Sequence, residues 1–416
     1  MGPAYAGDRM LTPAPVSGEA YPMSYLSETR ANYLLGGLTF GGAYSDNAMG
    51  GISSHPVSDV SYSVWPTLTF DVTRSRLHSF LSYAPGFTFY QHTSARNEAD
   101  QSLSLDIDYR LSPHVTLTVL DSFHQSSNIL NQQNVLPAVP VIGPTEPLVQ
   151  SVIPPVANQL SNTGRVEVTY QFRANGMIGF SGTALDLHYP NPAQAPGLYD
   201  SSSRGGAVFY SHRLSGMHYI GLTYQYQLLR AFPTGWTAKT LTHSALFFYT
   251  AYLKPNFSIS LSAGPQSADT EASIVPASRI WSPGGATSLG WQGRQTVFTA
   301  SYSKTIASGG GLIGAVHQDS ATISLRRQLT RWWSAAADGN YTLNKVLDPI
   351  SSFSTGGHTI SGSASIQRQL GEHFNCGVGY TRLHQSYGNI QAISGGPDTN
   401  REWVSITYQF TRPLGR

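Results

Sequence analysis

The chain has 416 residues, of which only 12% are charged, with a net charge of +2; soluble proteins carry roughly 25% charged residues, and so neutral a balance leaves no electrostatic footprint for nucleic acid. A single cysteine, Cys376, excludes an internal disulfide, a cysteine-type zinc site and a CxxC redox pair. No apolar run approaches the roughly 18 residues of a membrane-crossing helix, and a mean hydropathy of −0.18 is too polar for a helical membrane protein, though not for strands that alternate apolar and polar residues.

The chain opens Met1-Gly2-Pro3-Ala4-Tyr5-Ala6-Gly7-Asp8, with neither the basic stretch nor the apolar core of a signal peptide, although Ala4-Tyr5-Ala6 fits an A-x-A cleavage site. Residues 1–31 include Pro13, Pro15 and Pro22 and read as an extended periplasmic lead-in outside any sheet.

From residue 33 onward the dominant signal is period-two alternation, which marks strands with two different faces. Val60, Tyr62, Val64, Pro66, Leu68, Phe70 and Val72 share one face, against Asp59, Ser61, Ser63, Thr67, Thr69 and Asp71, with Trp65 among the polar set. Leu103, Leu105, Ile107, Tyr109 and Leu111 oppose Ser102, Ser104, Asp106, Asp108 and Arg110. Val166, Val168, Tyr170 and Phe172 oppose Arg165, Glu167, Thr169, Gln171 and Arg173, and Val404, Ile406, Tyr408 and Phe410 close the series. These runs are about ten residues long, the length of a tilted bilayer-crossing strand, where soluble strands usually stop near five or six.

Short turns, most carrying a basic residue, punctuate the pattern. They are 73–76, 110–113, 173–176, 213–216, 254–256, 292–294, 328–331 and 369–372. Longer polar or Gly/Pro-rich stretches alternate with them, near 45–59, 91–100, 127–164, 189–204, 229–240, 265–284, 305–317, 344–357 and 386–400. Short connections at one end and long ones at the other are the asymmetry of outer-membrane barrels. With a first strand near 33–44 and a last near 402–411, the turns give about 18 strands, within 16–20. The expected fold is all-β: a transmembrane antiparallel β-barrel over residues 32–411, with short periplasmic turns, long extracellular loops and a tail at 412–416. A β-propeller also repeats about every 40 residues, but its blades hold four short strands, and here each repeat holds two long ones.

An Arg or Lys facing lipid at mid-bilayer costs roughly 2–4 kcal/mol. The faces bearing Asp106, Asp108 and Arg110, and Arg165, Glu167 and Arg173, are therefore expected to line the lumen. Aromatic residues near strand ends, such as Tyr170, Phe172, Trp332, Trp333, Tyr408 and Phe410, suit membrane interfaces.

The opening Gly36-Gly37-Leu38-Thr39-Phe40, then Tyr44-Ser45-Asp46-Asn47, Tyr62-Ser63-Val64-Trp65-Pro66, Tyr83-Ala84-Pro85-Gly86-Phe87 and Tyr109-Arg110-Leu111-Ser112-Pro113 resemble segments of the bacterial outer-membrane β-barrel porin-like family. The last strand, Val404 to Phe410, resembles the assembly signal of outer-membrane proteins, departing from it because Thr411 to Arg416 follow the aromatic residue. The resemblance spans most of 33–411. It implies a barrel for passive uptake or for polysaccharide secretion, and says almost nothing about cargo.

Catalytic chemistry is not legible. There is no HExxH, and Ser54-His55-Pro56-Val57-Ser58-Asp59 places triad residue types in a row without the convergence a triad needs. His92 with Ser94 and His124 with Ser126 fit a polar strand face. Ser308-Gly309-Gly310-Gly311-Leu312 lacks the Gly-Lys-Ser/Thr of a phosphate loop. No enzyme activity, cofactor or metal is expected. The most informative stretch is 127–164, apolar and with Glu146 as its sole acid. An exposed apolar patch tends to be buried or to bind something. Leu136, Val139, Val141, Glu146, Val149 and Ile153 are therefore candidates for a constriction folded into the lumen, with subunit contact and disorder as the alternatives.

The expected activity is passive diffusion of small polar solutes through the outer membrane, with polysaccharide export or secretion, and a non-conducting binding or structural barrel, as alternatives. Expected partners are membrane lipid, lipopolysaccharide and the outer-membrane assembly machinery, with a homo-oligomer left open and nucleic acid excluded.

Overall fold

The computed structural model describes residues 10–17, 32–48, 56–94, 97–126, 158–254, 256–272, 275–308, 311–312, 315–347, 356–388 and 398–414. Eighteen strands make the wall: β1 (Asn32–Ser45), β2 (Asp59–Thr73), β3 (Leu77–Tyr90), β4 (Glu98–Arg110), β5 (Val115–Ser126), β6 (Gln159–Arg173), β7 (Gly176–His188), β8 (Ser201–Arg213) and β9 (His218–Ala231). They continue as β10 (Ala238–Lys254), β11 (Phe257–Ala272), β12 (Val275–Gln292), β13 (Thr296–Ser308), β14 (Ala315–Gln328), β15 (Trp333–Val346), β16 (Gly357–Leu370), β17 (Phe374–Tyr387) and β18 (Thr399–Pro413). One four-residue helix, α1 (Ala14–Ser17), precedes them.

Every strand pairs antiparallel with its sequence neighbours, and β1 pairs with β18, Gly36 lying opposite Phe410 and Tyr44 opposite Glu402. The sheet is closed. Closure pairs every strand on both sides, with β12 and β13 parting only at their long-connection ends, and strands without a free edge are what can cross a membrane. All eight turns expected from the sequence join the strand pairs they should. At 371–373 Gly371 takes a φ of 77°, a left-handed conformation that glycine adopts without steric cost.

Alternation assigns the faces. Along β2, Tyr62 and Leu68 are exposed, while Asp59, Ser61, Trp65 and Thr69 are buried. Directly paired residues share a face, so the register carries this assignment around the wall. Outward side chains include Val208, Leu222, Phe247, Leu261, Ile323 and Ile406, all well exposed. Outward aromatics gather near the short-turn end, where Tyr170 contacts Phe172, Phe172 stacks on Tyr210, and Phe374 meets Tyr408. This is the girdle position.

The strands, at 12 residues (β5) to 18 (β12), are longer than the ten or so expected. One expected long loop is overturned. Residues 265–284 are mostly strand, with β11 and β12 running to within two residues of each other and Pro265 facing Pro283. The cause lies on the outer face, where Asp269 pairs with Arg279 at 2.8 Å and Glu271 with Lys239 at 3.5 Å. Where the outer face is charged, the apolar half of the alternation disappears, and a paired strand reads as a loop.

Candidate functional site: the lumen and its two narrowings

Asp106, Asp108 and Arg110 fall on the inward face of β4, since Asp106 opposes the buried Phe80 and Asp108 opposes His78. Arg165, Glu167 and Arg173 fall on the inward face of β6, Arg165 opposite Leu120 and Glu167 opposite Thr118. The fold joins some of these and separates others. Arg165 and Glu167 form an ion pair at 2.5 Å. Asp108 accepts a hydrogen bond from the Thr118 hydroxyl at 2.6 Å. Arg110 and Arg173 end their strands, exposed at the rim.

Sequence reading missed one partner on this wall. His78 Nε2 lies 3.3 Å from Asp71 Oδ1, so β2 to β6 carry a charged inner wall of Asp71, His78, Asp106, Asp108, Glu167 and Arg165. The facing wall is mostly uncharged: Gln318, Ser320, Thr342, Asn344, Thr359 and Thr381 are inward and buried, and on β14 and β15 the charges that share their face are Arg326 and Asp338. Bulky inward rings lie flat against the wall. Trp65, Phe209, Phe248 and Trp403 each cover a glycine of the adjacent strand (Gly86, Gly179, Gly221 and Gly379), occupying the space a Cβ would fill.

At the long-connection end the lumen is narrowed by the chain between β7 and β8 and by the chain between β13 and β14. Tyr189, Ala195, Leu198 and Leu312 pack with Leu187, Val316 and Tyr387 in one buried cluster. Leu187 and Tyr387 belong to strands nearly diametrically opposite, so the cluster crosses the mouth. The Tyr199 N–H donates to Gly311 O at 2.8 Å, and the Tyr189 N–H to Asp200 Oδ1 at 2.8 Å. Gly311 has φ 100° and the Tyr189 ring against it. Burial pushes the Tyr189 hydroxyl above its usual range, and the nearby Asp200 adds to this. The upper part of β13 helps, because its pairing with β12 covers only Val297 to Lys304. Beyond that it leans inward: Gln266 of β11 donates to Lys304 O and accepts from the Ile306 N–H, both at 3.2 Å, and Ile306 packs on Leu229 and Ala268. The proposed constriction residues Leu136, Val139, Val141, Glu146, Val149 and Ile153 lie outside the described residues, and the stretch from Gln159 belongs to β6.

At the short-turn end the narrowing comes from the N-terminal stretch. Met10 is buried against Met177, Phe209, Tyr219 and Tyr252, with Leu11 and Val16 packed beside it. The Met10 N–H donates to Gln171 Oε1 at 3.1 Å, and Arg165 donates to Val16 O at 2.5 Å. All these partners are inward residues of β6 to β10, so residues 10–17 lie within the wall and not beyond it.

Among the described residues, no group of three or more His, Cys, Asp or Glu side chains is placed to hold a metal ion. No protein-family model matches the chain, and neither does any curated protein. Solved structures that it resembles include OpdK of Pseudomonas aeruginosa with vanillate, 9% identical, covering 91% of this chain and 99% of that one with a TM-score of 0.42. OccK2 (OpdF) of Pseudomonas aeruginosa in complex with glucuronate is also 9% identical, with 92% and 98% covered and a TM-score of 0.43. A BenF-like porin from Pseudomonas fluorescens Pf-5 is 10% identical, with 91% and 99% covered and a TM-score of 0.42.

Proposed function

We propose that the chain is a bacterial outer-membrane channel through which small polar solutes diffuse passively. The observation that carries this reading is the contrast between the two faces of one closed wall. The inner face is Ser, Thr, Asn and Gln with a charged strip, and the outer face is apolar over its middle, with an aromatic girdle at the short-turn end. A polar interior keeps water in the lumen, and an apolar exterior suits hydrocarbon. The short turns then face the periplasm, and the long connections face outward. In the outer membrane the exterior would contact phospholipid and lipopolysaccharide, and closure of β1 on β18 would fall to the assembly machinery.

Selectivity in such a pore follows from cross-section and lining groups. Here these are the mouth cluster around Tyr189 and Leu312 and the charged strip on β2 to β6. The test is single-channel conductance of the purified protein in a planar bilayer, together with its mobility before and after boiling. A heat-shifted band with discrete current steps is expected. A heat-shifted band that never conducts would sink the channel and leave a non-conducting barrel.

A further inference from the structure

We propose that the N-terminal segment Met10–Val16 is a displaceable plug, bound to the inner wall of β6–β10, whose departure opens the periplasmic end of the lumen. The inference rests on the channel reading above.

Four adjacent strands, three near their short-turn ends and β8 at its middle, break the alternation in the same way. Met177-Ile178, Val208-Phe209, Tyr219-Ile220 and Ala251-Tyr252 are apolar doublets, so one member of each must face inward. The inward members are Met177, Phe209, Tyr219 and Tyr252, exposed by 2 to 6%. A water-filled lumen gives no reason for an apolar patch there. A bound apolar segment does, and Met10, Leu11 and Val16 supply it.

The attachment is of a kind that can be undone. The segment contributes one four-residue helix, and Pro13 and Pro15 remove two of its backbone donors. Its polar ties to the wall include Met10 N–H to Gln171 and Val16 O to Arg165. Departure leaves Gln171 Oε1, at the rim of the lumen, to accept from water in place of Met10 N–H. Arg165 keeps Glu167 at 2.5 Å, and the Gln171 amide already lies 3.4 Å from Ala174 O. Residues 18–31 separate the segment from β1; extended, they reach roughly 50 Å, so the plug can leave the lumen without unpairing β1 from β18.

The experiment uses the full chain with Cys376→Ser, Met177→Cys as a reporter under the plug, and two altered forms: deletion of 10–17, and Met10→Asp, which places a charge in the apolar cluster and leaves the wall untouched. Folding is checked by the heat shift. Reaction with a charged maleimide and single-channel conductance are then read together. Protection of Met177→Cys in the full plug is expected, with labelling at least tenfold faster in both altered forms. The full chain should step between a low and a high conductance level, and the deletion should stay at the high one. Equal labelling in all forms overturns the proposal. So does unequal labelling with identical conductance, since the segment would then bind outside the current path. Unequal labelling with no current in any form removes the channel reading, and the gate with it, leaving a segment bound in a silent barrel.

Discussion

The two narrowings of the lumen are built differently. At the long-connection end, Tyr189, Leu198 and Leu312 sit on chain anchored at both sides by strands, and they bury themselves almost completely against Val316 and Tyr387. At the short-turn end, Met10 and Val16 lie on a short segment outside the sheet, held among the described residues by hydrogen bonds to Gln171 and Arg165 and by one apolar patch. A connection fixed at both ends loses little entropy on docking, because its closure is already imposed by the strands. A segment that pairs with no strand is fixed only by its own docking, at roughly 1–2 kcal/mol per residue for backbone alone. The outer narrowing is therefore part of the wall, and the inner one is an equilibrium.

The largest effect should come from Tyr189→Ala. Truncating a fully buried aromatic side chain costs about 3–5 kcal/mol, and here the loss falls on the contact between the two connections that cross the mouth. Conductance should rise, and the 189–200 connection should become open to added protease, while Met177→Cys stays protected. If Tyr189→Ala also exposes Met177→Cys, the two narrowings are coupled and the contrast between them fails.

Neighbouring positions on β8 sharpen the contrast from the other end. Val208 faces out and Phe209 faces in. Val208→Arg should cost roughly 2–4 kcal/mol if that position meets lipid near mid-span, lowering the yield of heat-shifted barrel without freeing the plug. Phe209→Ala should leave assembly largely intact and raise labelling of Met177→Cys. The reverse pattern would mean that the faces of β8 are exchanged, and the plug's floor with them.

Most of the wall was legible from the chain because a bilayer-crossing strand repeats one demand every second residue. Val60 to Val72 and Val404 to Phe410 meet it without exception. Turns were legible too, since short polar stretches, most with a basic residue and several with Gly, Pro or Asn, interrupt the repeat. The 265–284 stretch was not, because Asp269, Glu271 and Arg279 face outward in ion-paired positions, and the outer face there carries no apolar requirement. Neither narrowing was legible as a site. The mouth depends on Gly311 meeting Tyr189, and the plug on Arg165 meeting Val16, contacts between residues far apart in sequence that no local pattern encodes. The apolar doublets at Met177, Phe209, Tyr219 and Tyr252 are the one signal that could have pointed to the plug, since each departs from strict alternation on the same part of the wall.

The smallest expected effect belongs to the long-connection end and depends on pH. Asp398, just before β18, accepts from His384 Nδ1 at 2.5 Å and from the Arg382 guanidinium. The His384 bond, and then Arg382, hold its carboxyl below the ordinary carboxylate range. A depressed folded value stabilises the fold above the unfolded value, near 3.9 for an aspartate, and the contribution is lost as pH falls through the folded value. Asp398→Asn removes it at every pH. Both partners are partly exposed, so screening keeps the effect small. At pH 7 the variant should be nicked slightly faster by protease in the connection between β17 and β18, with Met177→Cys as protected as before. The difference from the unaltered protein should shrink as the pH drops below the ordinary carboxylate range, because the unaltered Asp398 then becomes neutral as well. A difference that grows on acidification would show that the link stabilises the mouth through a group other than the Asp398 carboxylate.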